Sequence, residues 1–310
     1  MGVQSRMRLG VDVGGTKIAA IVLDADSLEV KFKTKLSTPS SYEALLSSLK
    51  ALVDAAETEL QTAVTYGMCY PGSIPPGETL VQNANLLWLN HKPFERDLSI
   101  LLNREVRAGN DANCFALSEA LDGAGKGKSV VFGATLGTGL GGGVVVEGRI
   151  VEGLNKLGGE WGHNALPNPT LEEQNVERCY CSRIGCLESF LSGTGFSNSY
   201  AVHYGEDLSA EEIVQRAEQL DPKALAELVL YEDRFARACG MVINLIDPDV
   251  IVLGGGFSLL GRLYENVPLL WQRYVFSSRP IQTQLLPAVF GPESGMRGAA
   301  WLWGRSKLRA

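Results

Sequence analysis

Two stretches of the chain consist of apolar runs that meet at a glycine turn. Residues 9–23 form two β-type runs joined at Gly14 and Gly15, and Asp24 ends the second run. This pattern predicts a β-hairpin with a glycine tip. Residues 129–146 repeat it, with Gly137-Thr138-Gly139 between the runs. We interpret the repetition as an internal duplication of one hairpin.

Helical patterns lie between and after these hairpins. Residues 112–121, 224–246 and 295–303 are predicted helices, and residues 250–253 are a predicted buried strand before three glycines. An apolar stripe at helical spacing comprises Tyr42, Leu45, Leu46, Leu49, Leu52, Val53 and Ala56. Helices that alternate with strands indicate an α/β fold.

The length favours two domains. A chain of 310 residues exceeds the ~250 residues at which single cores stop growing. We therefore expect two lobes with a cleft between them. The predicted small lobe is residues 1–118 plus about 295–310, and the predicted large lobe is residues 119–294.

Charge and hydropathy exclude two classes of partner. The balance of 28 Lys and Arg against 35 Asp and Glu gives a net charge of −7, and no basic cluster could follow a nucleic-acid backbone. No apolar run approaches the ~18 residues of a membrane helix. Residues 1–7 lack the apolar core of a signal peptide. A cytoplasmic location is the resulting expectation.

The glycine turns are candidate phosphate sites. Backbone N–H groups of a turn can surround an anion, and glycine lets the chain approach it closely. A strand follows the first turn, so it is neither a P-loop nor a dinucleotide motif. Each turn could equally be an ordinary tight turn. The candidates are Asp12, Gly14, Gly15, Thr16, Lys17, Gly137, Thr138, Gly139, Gly254 and Gly255. Asp12, a carboxylate in a buried strand, is assigned to water-mediated binding of magnesium.

Asn110 and Asp111 open a predicted helix after a short β-type run. Aspartate is a favoured helix N-cap, which is the structural interpretation of Asp111. The functional interpretation is a carboxylate base that accepts a hydroxyl proton during phosphoryl transfer.

Three cysteines and a histidine form a candidate metal site. His163 precedes Cys179, Cys181 and Cys186, and a Cys₃His set is typical of structural zinc. The alternative is three unligated thiols, which would be prone to oxidation. Glu160 and Glu188 flank these ligands and suit hydrogen bonds to sugar hydroxyls, or are surface charges. The other cysteines, Cys69, Cys114 and Cys239, occur singly and are expected to fill the core.

Residues 81–90 carry three asparagines around Trp88. Asparagine both donates and accepts hydrogen bonds, which suits vicinal hydroxyls, although asparagine is also common in turns.

Together these motifs resemble the family named for repressors, open reading frames and kinases (ROK). The resemblance covers residues 8–303 and rests on residues 12–17, 110–113, 136–139, 159–163 and the cysteine cluster. It implies the actin-like ATPase fold of hexokinase and actin, with an interlobe cleft. It also implies ATP, Mg²⁺, a structural Zn²⁺ and phosphorylation of the terminal 6-hydroxyl of a hexose. A homodimer is a further implication.

The resemblance also implies roles for individual residues. Asp111 matches the base, and the implied sugar contacts are Gly72, Asn85, Asn110, Glu160, His163 and Glu188. Within the family the chain is most similar to bacterial fructokinases that accept mannose, and the alternatives are N-acetylglucosamine, N-acetylmannosamine or glucose kinases. One departure is Ser182, where the family usually has glycine after the second cysteine. Serine suits most turn positions except those that need a positive φ.

A different class of function remains to be tested. A sugar-sensing protein would bind the same ligands without producing ADP. An actin-like or chaperone ATPase would leave the histidine and cysteine cluster without a role.

Overall fold

The structure is a computed structural model that describes residues 5–70, 72–82, 84, 86–176 and 178–304. The strands are β1 (Met7–Val13), β2 (Lys17–Asp24), β3 (Val30–Ser37), β4 (Thr65–Cys69), β5 (Val106–Gly109), β6 (Val130–Leu136), β7 (Leu140–Val146), β8 (Arg149–Ile150), β9 (Val250–Gly254) and β10 (Gln284–Pro287). The helices are α1 (Tyr42–Leu60), α2 (Phe94–Leu102), α3 (Asp111–Leu121), α4 (Glu188–Leu191), α5 (Gly193–Tyr204), α6 (Ala210–Glu218), α7 (Pro222–Ile246), α8 (Gly261–Leu270) and α9 (Ser294–Trp301).

The chain divides into two compact units. The first takes its described residues from Met1–Lys126, Gly148–Gly158 and Pro292–Ala310, and the second from Gly127–Glu147 and Gly159–Gly291. The division differs from the predicted one at residues 119–126, 148–158 and 292–294, which fall in the first unit. A cut at residue 118 would interrupt α3, which continues to Leu121 and packs on α9.

The first unit contains a mixed sheet in the order β3-β2-β1-β4-β5. The predicted hairpin is confirmed, because β1 and β2 pair antiparallel from Met7 with Asp24 to Val13 with Ile18. Strands β1, β4 and β5 are parallel. Their carboxyl ends therefore lie at one edge of the sheet, where open α/β sheets bind ligands.

Helices cover this sheet through a tightly packed core. The predicted stripe of α1 is confirmed, since its buried residues are Tyr42, Leu45, Leu49, Leu52, Val53 and Ala56. Helix α9 approaches the sheet so closely that a Cβ on Gly67 would lie 1.9 Å from the carbonyl oxygen of Ala299. Only glycine permits this contact between a strand and a helix backbone.

The second unit repeats the plan of the first. Its strands lie in the order β10-β9-β6-β7, with β6 and β7 antiparallel and β6, β9 and β10 parallel. The same pattern of one hairpin followed by two parallel strands occurs in β2-β1-β4-β5. This correspondence agrees with the predicted duplication.

Helix α7 forms the centre of the second unit. Its apolar face packs on an aromatic cluster in which the rings of Tyr231 and Phe257 stack at 4.6 Å. It also carries Arg234 and Arg237, both 4% exposed, which donate to the buried carboxylate of Glu173 at 2.8 and 2.7 Å. The two guanidinium groups hold the pKa of Glu173 at about 2 against the effect of its burial, which acts in the other direction.

Among the described residues, the helices include none with the length and apolar character needed to cross a bilayer.

Candidate active site

Two carboxylates lie at the carboxyl edge of the first sheet. Asp12 is next to last in β1, where it pairs with Cys69 of β4, and Cys69 pairs with Gly109 of β5. Asp111 follows β5 after one intervening residue, Asn110, and is the first residue of α3. Burial raises the pKa of both carboxyls, and the negative charge of Asp111 raises the pKa of Asp12 further. The sheet register thus brings together a pair of acids that repel each other.

Asn110 is the N-cap of α3. Its Oδ1 accepts hydrogen bonds from the N–H groups of Ala112 at 2.9 Å and Asn113 at 3.4 Å. Asp111 accepts from the adjacent Ala112 N–H, at 2.8 Å, and from its own backbone N–H. The residue as a whole is open to solvent, but protein surrounds its carboxyl group closely enough to raise the pKa. The capping role considered for Asp111 therefore belongs mainly to Asn110.

The first glycine turn is short and open to solvent. Gly14 donates its N–H to the carbonyl of Lys17 at 3.0 Å, and Thr38 holds the turn through a 2.6 Å hydrogen bond to the carbonyl of Gly14. Gly15, Thr16 and Lys17 are exposed, and a Cβ on Gly15 would meet no atom within 4 Å. The turn leaves space for a ligand against its backbone.

The second and third glycine turns contact each other in the second unit. Gly254 ends β9, and Gly255 has a φ of +82°. A Cβ on Gly255 would lie 2.4 Å from the carbonyl oxygen of Leu136 and 2.8 Å from the nitrogen of Gly137. The Gly137-Thr138-Gly139 turn is closed by a 3.0 Å bond from the Gly137 N–H to the Gly139 carbonyl.

The start of α5 supports the second turn. The sequence did not predict this contact. Gly193 donates its N–H to the carbonyl of Gly137 at 2.7 Å, and the hydroxyl of Thr194 donates to the carbonyl of Thr138 at 3.3 Å. Ser192 caps the helix by accepting from the N–H of Gly195. The available signal for this contact was a capping residue before a glycine-rich segment, in the run Ser192-Gly193-Thr194-Gly195.

Glu188 lies against the second turn. Its Oε2 accepts from the N–H of Leu140 at 2.8 Å, and a Cβ on Gly139 would lie 3.3 Å from its Oε1. Burial raises the pKa of Glu188, while the Leu140 hydrogen bond acts in the opposite direction. With Cys179, Tyr180 and Thr194 it lines a cavity of about 790 Å³, a size typical of small-ligand sites. Glu160 is exposed beside Trp161.

His163, Cys179, Cys181 and Cys186 converge. One ligand atom from each lies within 4.8 Å of all the others. The Sγ atoms of Cys181 and Cys186 are 3.6 Å apart, and the Nδ1 of His163 is 3.7 Å from the Sγ of Cys179. Burial raises the pKa of Cys186 to about 12, whereas the backbone N–H of Arg183 lowers the pKa of Cys181. The predicted four-residue cluster is thus formed.

The chain matches the ROK family over residues 8–306. The chain belongs to the ROK family. It is 38% identical over 303 residues to N-acetyl-D-glucosamine kinase of Pasteurella multocida, with 96% of this chain and 99% of the relative covered. It is 37% identical over 307 residues to N-acetyl-D-glucosamine kinase of Salmonella typhimurium, with coverages of 96% and 99%.

Solved ROK structures share the fold. A ROK hexokinase from Thermus thermophilus is 29% identical, with a TM-score of 0.85 over 95% of this chain and 96% of that one. A ROK glucokinase from Streptomyces griseus, solved with glucose and AMPPNP, is 27% identical, with a TM-score of 0.73 and coverages of 96% and 98%. The family and the actin-like ATPase fold inferred from the sequence are confirmed. The relatives favour the N-acetylglucosamine alternative over fructose.

The three single cysteines fill the core, as expected, since Cys69, Cys114 and Cys239 are all fully buried. Cys69 and Cys114 lie together against Ala299 and hydrogen-bond to each other, a contact that the sequence did not predict. Cys69 also hydrogen-bonds to Asp12, which lowers the pKa of that carboxyl.

Two further predicted sugar contacts lie in the first unit. Gly72, at a φ of +135°, and Asn110 line a cavity of about 60 Å³ with Tyr70 and Glu95. The Oδ1 of Asn113 is buried beside it without a hydrogen-bond partner in the described part of the chain. Asn85 lies outside the described residues.

Proposed function

We propose that this protein is an ATP-dependent N-acetyl-D-glucosamine kinase that transfers the γ-phosphate to the 6-hydroxyl of the sugar. The observation that carries the substrate is the identity of 36–38% to N-acetyl-D-glucosamine kinases across nearly the full length of both chains. The neighbouring carboxylates Asp12 and Asp111 in the first unit, and the glycine turns found within each unit, support phosphoryl transfer as the reaction.

Asp111 is the proposed base. Its carboxylate accepts the proton of the sugar hydroxyl while that oxygen forms a bond to the γ-phosphorus of ATP. The bond between the γ-phosphorus and the bridging oxygen breaks, and ADP leaves with the electron pair. A pKa raised by burial makes Asp111 a stronger proton acceptor than an ordinary aspartate. Asn110 holds the start of α3, so the base needs no capping bond of its own.

Asp12 is the residue proposed to hold magnesium through water. Burial and the charge of Asp111 disfavour its ionised form, and a divalent cation would offset both effects. Magnesium bound with ATP supplies positive charge to the phosphate oxygens. The N–H groups of Gly14 and Gly137 close their own turns. The backbone N–H groups of Gly15, Thr16, Thr138 and Gly139 are therefore the proposed phosphate donors, with Lys17 adding charge.

The cysteine and histidine cluster fits structural zinc. A tetrahedral zinc with Zn–S bonds of about 2.3 Å separates two sulfurs by about 3.8 Å, which agrees with the 3.6 Å between Cys181 and Cys186. Four protein ligands leave no open position, so we assign the ion a structural role. It would fix the loop that leads into Glu188, the proposed sugar-contacting acid.

The decisive assay is ADP release with ATP and magnesium on N-acetylglucosamine, N-acetylmannosamine, glucose, mannose and fructose in parallel. We expect the largest kcat/KM on N-acetylglucosamine. Asp111→Asn should lower kcat at least 10²-fold, since general bases contribute about that much. Asp54→Asn, an exposed change on α1, is the matched control and should retain full activity.

Other outcomes have distinct meanings. A preference for fructose or glucose would keep the mechanism and reject the proposed substrate. Binding of sugar and ATP without ADP release would support the sugar-sensing alternative. A homodimer also remains a prediction, which light scattering of the purified protein would test.

A further inference from the structure

The two ring nitrogens of His163 have different partners. Nδ1 faces the cysteines, 3.7 Å from the Sγ of Cys179, whereas Nε2 lies 2.9 Å from the hydroxyl oxygen of Tyr180. The two rings meet edge to face, with centroids 5.0 Å apart and an interplanar angle of 86°. The imidazole is therefore held on both sides.

This arrangement constrains the protonation of the imidazole. A neutral histidine binds a metal through its unprotonated nitrogen, so a ligand Nδ1 requires the proton on Nε2. The Nε2–H then donates to the oxygen of Tyr180. If the phenol donated instead, Nδ1 would carry the proton and could not bind a metal.

We propose that Tyr180 is a positioning residue for the metal site, which selects the Nε2–H form of His163 and holds its Nδ1 toward the three thiolates. This inference rests on the zinc site proposed above. Hydrogen bonds of this kind to a ligand histidine typically raise metal affinity 10–100-fold.

The chain around Tyr180 fits this role. Tyr180 lies between the two ligands Cys179 and Cys181, and the N–H of Ser182 donates to the carbonyl of Cys179 at 2.7 Å, which closes the turn. The side chain of Tyr180 is 79% exposed, so burial does not explain its orientation. Within the described residues, His163 is the one hydrogen-bond partner of its hydroxyl.

The test is the zinc affinity of Tyr180→Phe, measured by competition with a chromophoric chelator on full-length protein that was stripped and reloaded. We expect Kd to rise 10–100-fold. Tyr42→Phe is the matched control, because it removes a 2.9 Å hydrogen bond to Asp97 in the first unit and should leave the zinc Kd unchanged. Imidazole ¹⁵N shifts of the zinc-loaded protein should report protonated Nε2 in the wild type.

Two comparisons separate positioning from general damage. Thermal unfolding of the stripped proteins should be the same for wild type and Tyr180→Phe, since the hydrogen bond acts through the metal. A zinc Kd within threefold of wild type, or an equal loss in Tyr42→Phe, would overturn the role of Tyr180. A wild-type protein that binds no zinc would overturn the zinc site itself and this role with it.

Discussion

The backbone N–H of Leu140 donates to Oε2 of Glu188 over 2.8 Å. Leu140 is the first residue of β7 and Glu188 is the first of α4, so the bond joins the second glycine turn to the end of the loop that carries Cys179, Cys181 and Cys186. One carboxylate oxygen is thereby fixed, and the other remains available for a ligand. Glu188 thus connects the proposed phosphate turn with the proposed sugar site.

Glu188→Gln should impair sugar binding more than ATP binding. The amide oxygen can still accept from Leu140, but the charge offered to a sugar hydroxyl is lost. Hydrogen bonds to charged groups contribute about 1.5–3 kcal/mol, so we expect KM for the sugar to rise at least tenfold. Initial rates at varied sugar and ATP would check this. A larger effect on KM for ATP would instead assign Glu188 to the nucleotide.

Asp111→Asn should stabilise the protein at neutral pH while it removes activity. Because the pKa of Asp111 is raised in the folded protein from 3.8, the folded state binds more protons than the unfolded chain above that value. The free energy of unfolding therefore falls as pH rises through the folded-state pKa. The free energy of unfolding of the variant should exceed that of wild type at pH 7, and this difference should vanish below about pH 3.8. Denaturant unfolding at both pH values is the measurement.

The pH–rate profile should report the same group. A base must be ionised, and a raised pKa moves the acidic limb of kcat/KM to higher pH than an ordinary aspartate would give. If the ionisation of Asp12 also contributes to kcat/KM, Cys69→Ala should move the acidic limb to still higher pH, because Cys69 lowers the pKa of Asp12. An acidic limb at the ordinary aspartate value in wild type would argue against Asp111 as the base.

Gly255→Ala should damage the contact between the second and third turns. The added Cβ would lie 2.4 Å from the carbonyl oxygen of Leu136, and the φ of +82° disfavours alanine independently. Overpacking costs typically 1–3 kcal/mol. We expect a lower melting temperature and a KM for ATP raised at least tenfold. Gly261→Ala, which has open space around its Cβ position, is the control and should change neither value.

Ser182→Gly should stabilise the metal-binding loop. Ser182 has a φ of +72°, which is the left-handed conformation that serine tolerates poorly and the family's usual glycine adopts freely. That strain is about 1–2 kcal/mol for a residue with a side chain, partly offset by the greater freedom of glycine when unfolded. We expect slower release of zinc to a chelator, with kcat unchanged. Faster release would show that the serine side chain contributes to the loop.

Local patterns predicted the parts of the fold that depend on neighbouring residues. The two hairpins, α1 and the strand β9 follow from apolar periodicity over a few residues. The four-residue metal cluster follows from the chemistry of cysteine and histidine at close spacing. In each case the informative residues lie within one short stretch of the sequence.

Contacts between distant segments could not be predicted in this way. Cys69 lies beside Asp12 because β1 and β4 are parallel in one particular register, and no local pattern encodes that register. Gly255 meets Leu136 for the same reason, through the pairing of β6 with β9. The expected preference for fructose is not supported by the relatives, which are N-acetylglucosamine kinases, since motifs shared by the family do not encode which hydroxyls a sugar presents.

The separation of the helix cap from the base has an evolutionary consequence. Because Asn110 caps α3, position 111 is free to change without loss of the helix. A codon for aspartate becomes one for asparagine by a single base change, and the base role proposed for Asp111 predicts that this change abolishes transfer while the three glycine turns stay intact. On that proposal, a lineage with this architecture can turn an enzyme into a non-catalytic receptor in one mutational step, with stability gained and not lost.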